Sequence, residues 1–232
     1  MNVNARISPE RWLLEQPFER LTAAPWANGL GATTELVGVD SSRAVRPELD
    51  APAWRLSIAE LREPAAFSPL PGVHRNFMSV GGDVVLVVDG VRHEVPSGTV
   101  LQFSGGADVI LVALSVPCHA VNLMSRSDAV RLWASKCAQA APIAESAHVA
   151  AYPAARLDAT QAADPATRPT HLLAAVALPD AQTGPGARTD TEPGTDSETH
   201  ASTSAARRFD LYVPSLETTG PPPFPAAVVE LA

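Results

Sequence analysis

Seven polar side chains set among short apolar segments carry the chemistry this sequence could perform: Asn28, Thr33, Glu35, Arg55, Ser57, Arg75 and Asn122. A planar guanidinium pairs bidentately with a carboxylate, so arginines aimed into a concavity select a small organic acid. An arginine on a strand face can equally point to water, and burying its charge is tolerable only beside a carboxylate of the protein or of a ligand. Glu35 reads in two ways as well, as the counter-ion of an arginine or as the acceptor for a ligand N–H. Asn28, Ser57 and Asn122 would orient such a ligand. Trp26, Trp54 and Phe77 would wall the pocket or fill the core, and Trp54 reads as core because it alternates with Leu56 and Ile58.

Other chemistries find less support. The six histidines, His74, His93, His119, His148, His171 and His200, form no HxH or i, i+4 pair, so the reading predicts no bound metal and no cofactor. His93-Glu94 reads as a solvent-facing polar pair. No GxSxG elbow occurs, and Cys118 and His119 are adjacent, which on a strand points them to opposite faces. Gly29 and Gly31 imitate the start of a dinucleotide fingerprint, but its third glycine and its preceding strand are missing. An enzyme remains as a rival: a metal-independent isomerase or lyase with Glu35 as general base, which would need a dry pocket and a second proton donor.

The elements that must position these residues are strands. Ala53 to Glu60 alternates, and Val84–Val88 and Val91–Val95 flank Asp89-Gly90, the pair that supplies a two-residue hairpin turn. Asp108 to Ser115 is a continuous apolar run, expected to be a strand covered on both faces. Leu172 to Leu178, Phe209 to Val213 and Ala226 to Leu231 are further strands. Ser8 to Arg11 could cap a short helical turn over Trp12, Leu13 and Leu14, which Pro17 would end. Ser127 to Ala151 fits one helix or a strand plus loop.

Across 232 residues there are 22 prolines and 14 glycines, which favour short elements and frequent turns over long helices. Hydrophobic residues make up 46%, enough for a real core. The stretch from Asp180 to Ala206 has no large apolar residue and reads as a solvated insertion. A net charge of -8 argues against nucleic acid, and no apolar run is long enough to span a membrane. The N-terminus lacks a signal-like apolar region and the two cysteines form no framework, so the chain is expected to be cytoplasmic. Exposed barrel strands allow a homodimer. The acidic surface or the insertion allows a third role, as a protein-interaction module.

Four ordered segments carry a resemblance: Trp26 to Glu35 (WANGLGATTE), Trp54 to Glu60 (WRLSIAE), Phe67 to Arg75 (FSPLPGVHR) and Val121 to Arg126 (VNLMSR). Together they resemble the signature of the HutD/Ves family. The resemblance implies an all-β bicupin, with two β-barrel or jelly-roll halves, at 1–126 and 127–232, the second degenerate and carrying the insertion. It also implies the absence of the cupin metal triad. The implied function is non-catalytic binding of a small carboxylate of the urocanate or N-formylglutamate class, regulating histidine utilisation. The family's motif residues fall on Trp26, Asn28, Gly29, Gly31, Thr33, Glu35, Arg55, Ser57, Arg75, Asn122 and Met124. Leu30 replaces a usual glycine, and Thr34 stands where arginine is common.

Overall fold

Strict alternation of large apolar with polar or small residues dictates strands with two differently used faces, and the fold is built from that pattern. The computed structural model describes residues 12–26, 28–135, 171–179, 208–215, 218, 222 and 224–231. Elements are numbered in chain order. One antiparallel sheet has six strands, in the order β2 (Ala24–Pro25), β3 (Gly31–Val37), β4 (Trp54–Leu61), β11 (Cys118–Ser125), β6 (His74–Val80) and β9 (Val100–Ser104). A second has four, β5 (Ala65–Ala66), β10 (Val109–Leu114), β7 (Val84–Val88) and β8 (Val91–Val95). A third has five, β1 (Trp12–Gln16), β14 (Leu211–Pro214), β13 (His171–Ala177), β15 (Ala226–Leu231) and β12 (Val130–Ser135). Helix among the described residues amounts to α1 (Ser42–Val45) and the 3-10 turns Phe18–Arg20 and Pro47–Leu49. The protein is all-β with little helix, as its sequence predicts.

The six-stranded sheet is central because both of its faces are buried. On one face Trp54, Leu56 and Ile58 of β4 join Met78, Val121 and Leu123, and pack on Leu132, Leu173, Val176, Leu211 and Val229 of the five-stranded sheet. On the other, Ala59, Leu61, Phe77, Cys118 and Ala120 pack on Val84, Leu86, Val88, Val109 and Leu111 of the four-stranded sheet. Fully burying side chains such as Trp54 and Phe77 stabilises by roughly 1.5–3 kcal/mol each. The β7–β8 hairpin forms where predicted. Its register runs from Val88↔Val91 to Val84↔Val95, and Asp89 and Gly90 take positive φ of 48° and 81°.

Three expectations change. Trp12 to Gln16 is a strand rather than a helical turn, because its backbone groups bond to β14. That pairing also carries β1 across the expected boundary at 126/127, into the sheet built from C-terminal strands. Finally, β10 is covered on one face only: Val109 and Leu111 are buried, while Ile110 and Val112 are exposed. Ser8 to Arg11, Cys137, His148, His200, the 180–206 insertion and the segment 136–151 lie outside the described residues.

Candidate functional site

The antiparallel register decides which side chains share a face, since residues directly opposite each other project together. One cross-strand row on the central sheet reads Arg55, Met124, Arg75, Phe103, and the next reads Glu35, Ser57, Asn122, Phe77, Leu101. Thr33 lies opposite Ala59 one row further on. Six of the seven predicted residues, Thr33, Glu35, Arg55, Ser57, Arg75 and Asn122, therefore stand on one face, the face turned toward the four-stranded sheet.

Asn28 does not join them. It is exposed in the β2–β3 turn, where its Oδ1 accepts a hydrogen bond from the Leu30 N–H at 3.0 Å. Gly29, at φ +72°, completes that turn, and Leu30 occupies it without a positive φ. Thr33 is tied to the loop before it: its Oγ1 accepts the indole N–H of Trp26 at 2.8 Å, which leaves its own O–H to donate. The Trp26 ring in turn lies on Gly31: a Cβ there would stand 2.9 Å from the ring and 2.4 Å from the Glu60 carbonyl oxygen. Trp26, Thr33 and Gly31 thus build the rim, and the dinucleotide-like spacing of the glycines reflects this packing.

The floor is Arg75. It is 7% exposed, yet among the described residues no carboxylate pairs with it. Its Nε is buried without an acceptor, and one terminal N–H reaches Asn122 Oδ1 only at 3.5 Å. Two rings hold the guanidinium instead, with its Cζ 5.1 Å from the Phe67 centroid and 5.4 Å from that of Phe103, within cation–π range. Burial, followed by the like charge of Arg55, lowers its pKa from the usual arginine range to about 10, so it remains a cation at neutral pH.

Arg55 lies on the same row two strands away, about 10 Å by ordinary strand spacing, and is more exposed than Arg75. Its Nε donates to Glu35 Oε2 at 2.6 Å and a terminal N–H meets Ser57 Oγ at 3.4 Å. Glu35 is half exposed, 51% by side chain. The site holds two guanidinium groups and one carboxylate, and that carboxylate sits at the solvent edge. The site therefore carries an unbalanced positive charge, and the Arg75 Nε–H lacks an acceptor among the described residues.

Sequence reasoning missed the rings. Phe103 becomes the neighbour of Arg75 only through the β6–β9 register. Phe67 reaches it because its backbone N–H bonds to Val109 O at 2.8 Å, fixing the loop after β5 over the site. The one available signal for Phe67 is its place at the head of the segment that ends in Arg75. No group of three or more His, Cys, Asp or Glu side chains is arranged to hold a metal among the described residues. No helix among them is long and apolar enough to cross a membrane.

Comparison with known proteins agrees with the motif reading. No curated protein matches the chain. Among solved structures, it resembles HutD from Pseudomonas fluorescens SBW25 (formate condition), at 16% identity and a TM-score of 0.50, covering 93% of this chain and 95% of that one. It also matches a conserved protein of unknown function from Pseudomonas aeruginosa PAO1, at 17% identity and a TM-score of 0.46, over 95% and 96% of the two chains. A cupin-superfamily sugar phosphate isomerase from Silicibacter pomeroyi covers 51% of this chain and 78% of its own, at 12% identity and a TM-score of 0.37. The HutD family matches residues 19–175, which contain all of the site just described. Since that match spans about two thirds of the sequence, the chain belongs to the HutD family.

Proposed function

We propose that this protein binds a small carboxylate metabolite between Arg55 and Arg75 without turning it over, and that the bound state regulates histidine utilisation, the process to which its family relates it. The observation that carries this reading is the buried guanidinium of Arg75, which has no protein carboxylate among the described residues and an Nε without an acceptor. A ligand carboxylate drawn to that guanidinium offsets its desolvation and screens it from Arg55. Asn122 is the nearest group to orient it, Phe67 and Phe103 flank it, and Glu35 is left at the mouth to accept an N–H of the ligand. That division of labour fits an acid carrying a nitrogen some distance from its carboxylate, the class of urocanate and N-formylglutamate.

In this reading the 1–126 part is a cupin half that holds the ligand. The 127–232 part, joined by β1, is a degenerate half that buttresses it. The protein acts in the cytoplasm, without metal or cofactor. Glu35 serves poorly as a general base, for it is half exposed and bound to Arg55, whereas such a base needs a dry pocket.

Charge-assisted hydrogen bonds of about 1.5–3 kcal/mol each, less the cost of ordering the ligand, place the affinity near micromolar. Calorimetric titration with urocanate, N-formylglutamate and histidine tests this. Saturable heat with at least one acid, reduced in Arg55→Gln, is expected. Folded protein that gives no heat with any of them refutes the proposal. In Glu35→Gln, a nitrogen-bearing acid should bind more weakly while a plain short carboxylate binds no worse, because Arg55 is then free of its competitor.

A further inference from the structure

The four-stranded sheet ends in a strand whose charges are ordered for a copy of themselves. β8 reads Val91, Arg92, His93, Glu94, Val95, and it is the terminal strand of its sheet. Its partner β7 is reached through a two-residue turn, which makes Val88 and Val91 a hydrogen-bonded pair, followed by Leu86 with His93 and Val84 with Val95. The backbone N–H and C=O of Arg92 and Glu94 consequently point away from β7, along the open edge. Their side chains are open too: Arg92 is 59% exposed and Glu94 80%, with a loose 3.9 Å contact between them. Val91 is 48% exposed at the end of the strand.

We propose that this chain associates with a second copy of itself by antiparallel pairing of the two β8 edges about a two-fold axis at His93. In that register Arg92 lies opposite Glu94 of the second copy and Glu94 lies opposite its Arg92. These are hydrogen-bonded positions, so the four outward backbone groups on each strand find partners. Exposed Val91 meets Val95 of the second copy on the inner side. The two sheets become one of eight strands. Moving the axis to Arg92 or to Glu94 sets like charges opposite each other, and parallel addition sets arginine beside arginine, so the charges select this one register. Charged residues on an edge strand normally repel added strands. Here they repel every strand except one that carries the reverse order of charges, which an antiparallel copy of β8 does.

The contact is small compared with the ~1,600 Å² of a standard interface, so a dimer with Kd on the order of 10–100 µM is expected. Sedimentation equilibrium of the full chain across that range, with circular dichroism as a check on folding, provides the test. Arg92→Glu and Glu94→Arg should each weaken the dimer about 30-fold, since each turns two attractive cross-strand pairs into repulsive ones. The double variant Arg92→Glu/Glu94→Arg should dimerise like the parent. An equimolar mixture of the two folded single variants should form a heterodimer, because each carries the charges the other lacks. Three results overturn the proposal: a parent chain that stays monomeric throughout, single variants that dimerise as well as the parent, and a mixture that stays monomeric. Persistence of the dimer in both single variants would assign the contact elsewhere, with exposed Ile110 and Val112 on the outer face of the same sheet as the next surface to alter.

Discussion

Replacing Arg75 by methionine separates what the fold requires from what the ligand requires. Lowering the Arg75 pKa from the usual arginine range to about 10 corresponds to a penalty on the order of 3 kcal/mol for keeping the group charged in the folded state. The sign follows from linkage: the folded pKa is depressed, so the penalty is fully present below about 10 and fades as pH rises toward the unfolded value. Neutral pH lies in the region of full penalty. Against it stand the contacts with Phe67 and Phe103, each worth about 0.5–2 kcal/mol. Methionine keeps an apolar stem and a soft group against the rings while removing the cation.

The unliganded Arg75→Met protein is accordingly expected to be as stable as the parent or up to about 2 kcal/mol more stable, a rise in Tm of roughly 0–6 °C for a chain of this size. Its affinity for the acid that binds the parent should fall at least about 10-fold to 100-fold, the loss of one charge-assisted pairing. Thermal unfolding followed by circular dichroism, with and without that acid, reads both effects. The ligand-dependent rise in Tm should vanish in the variant. A variant that melts some 8 °C lower and still binds the acid as the parent does would refute the reasoning, because Arg75 would then be a brace of the fold.

Three other substitutions probe the scaffold. Gly31→Ala drives a methyl against the Glu60 carbonyl at 2.4 Å, where backbone cannot yield, and should cost about 1–3 kcal/mol while shifting the Trp26 indole N–H resonance. An unchanged Tm would show that the rim has room. Asn76, 3% exposed, accepts from Gln102 Nε2 at 2.9 Å and from the Leu132 N–H at 3.3 Å, tying the central sheet to β12. Asn76→Ala orphans a buried donor and should lose about 1–3 kcal/mol without altering the Kd for the acid, and a changed Kd in folded variant would contradict the assignment of that face to scaffold. His119 has its pKa lowered by burial and by the charge of Arg208, against a smaller opposing pull from Glu60. Its contribution is therefore complete above the unfolded value near 6.5 and is lost as acid titrates it through the lower folded one. His119→Gln should flatten the fall of Tm between about pH 7 and pH 5, and an equally steep profile would locate the acid sensitivity in other groups.

Local pattern reveals elements whose partners are near in sequence. Asp89-Gly90 announces its hairpin because a two-residue turn needs two positive φ angles, and the alternation of Trp54, Leu56 and Ile58 announces a buried face. Neither clue says what lies across from a strand. Trp12 to Gln16 becomes a strand because β14 supplies its ladder from about 200 residues away, and the local Pro9 and Ser8 signals carry no information about that partner. The apolar run of β10 looks the same whether one face is covered or two. The seven polar residues were legible as a set, and six share a face. The guanidinium-stacking role of Phe103 was hidden in a register, and that of Phe67 in a loop.

The register explains why the site and the scaffold can occupy the same strands. In β4, β6 and β11, Trp54, Leu56, Ile58, Asn76, Met78, Val121 and Leu123 face the five-stranded sheet, while Arg55, Ser57, Arg75, Phe77 and Asn122 face the four-stranded one. A slip of one residue in β4 or β6 would put hydrocarbon where its guanidinium group stands and drive that arginine into the core against the five-stranded sheet. The buried apolar face therefore fixes the register, and through it the positions of Arg55, Arg75 and Asn122, without those residues contributing to stability. This freedom lets Arg75 remain short of partners: its neighbours on the same strand hold it in place, although no carboxylate among the described residues pairs with it.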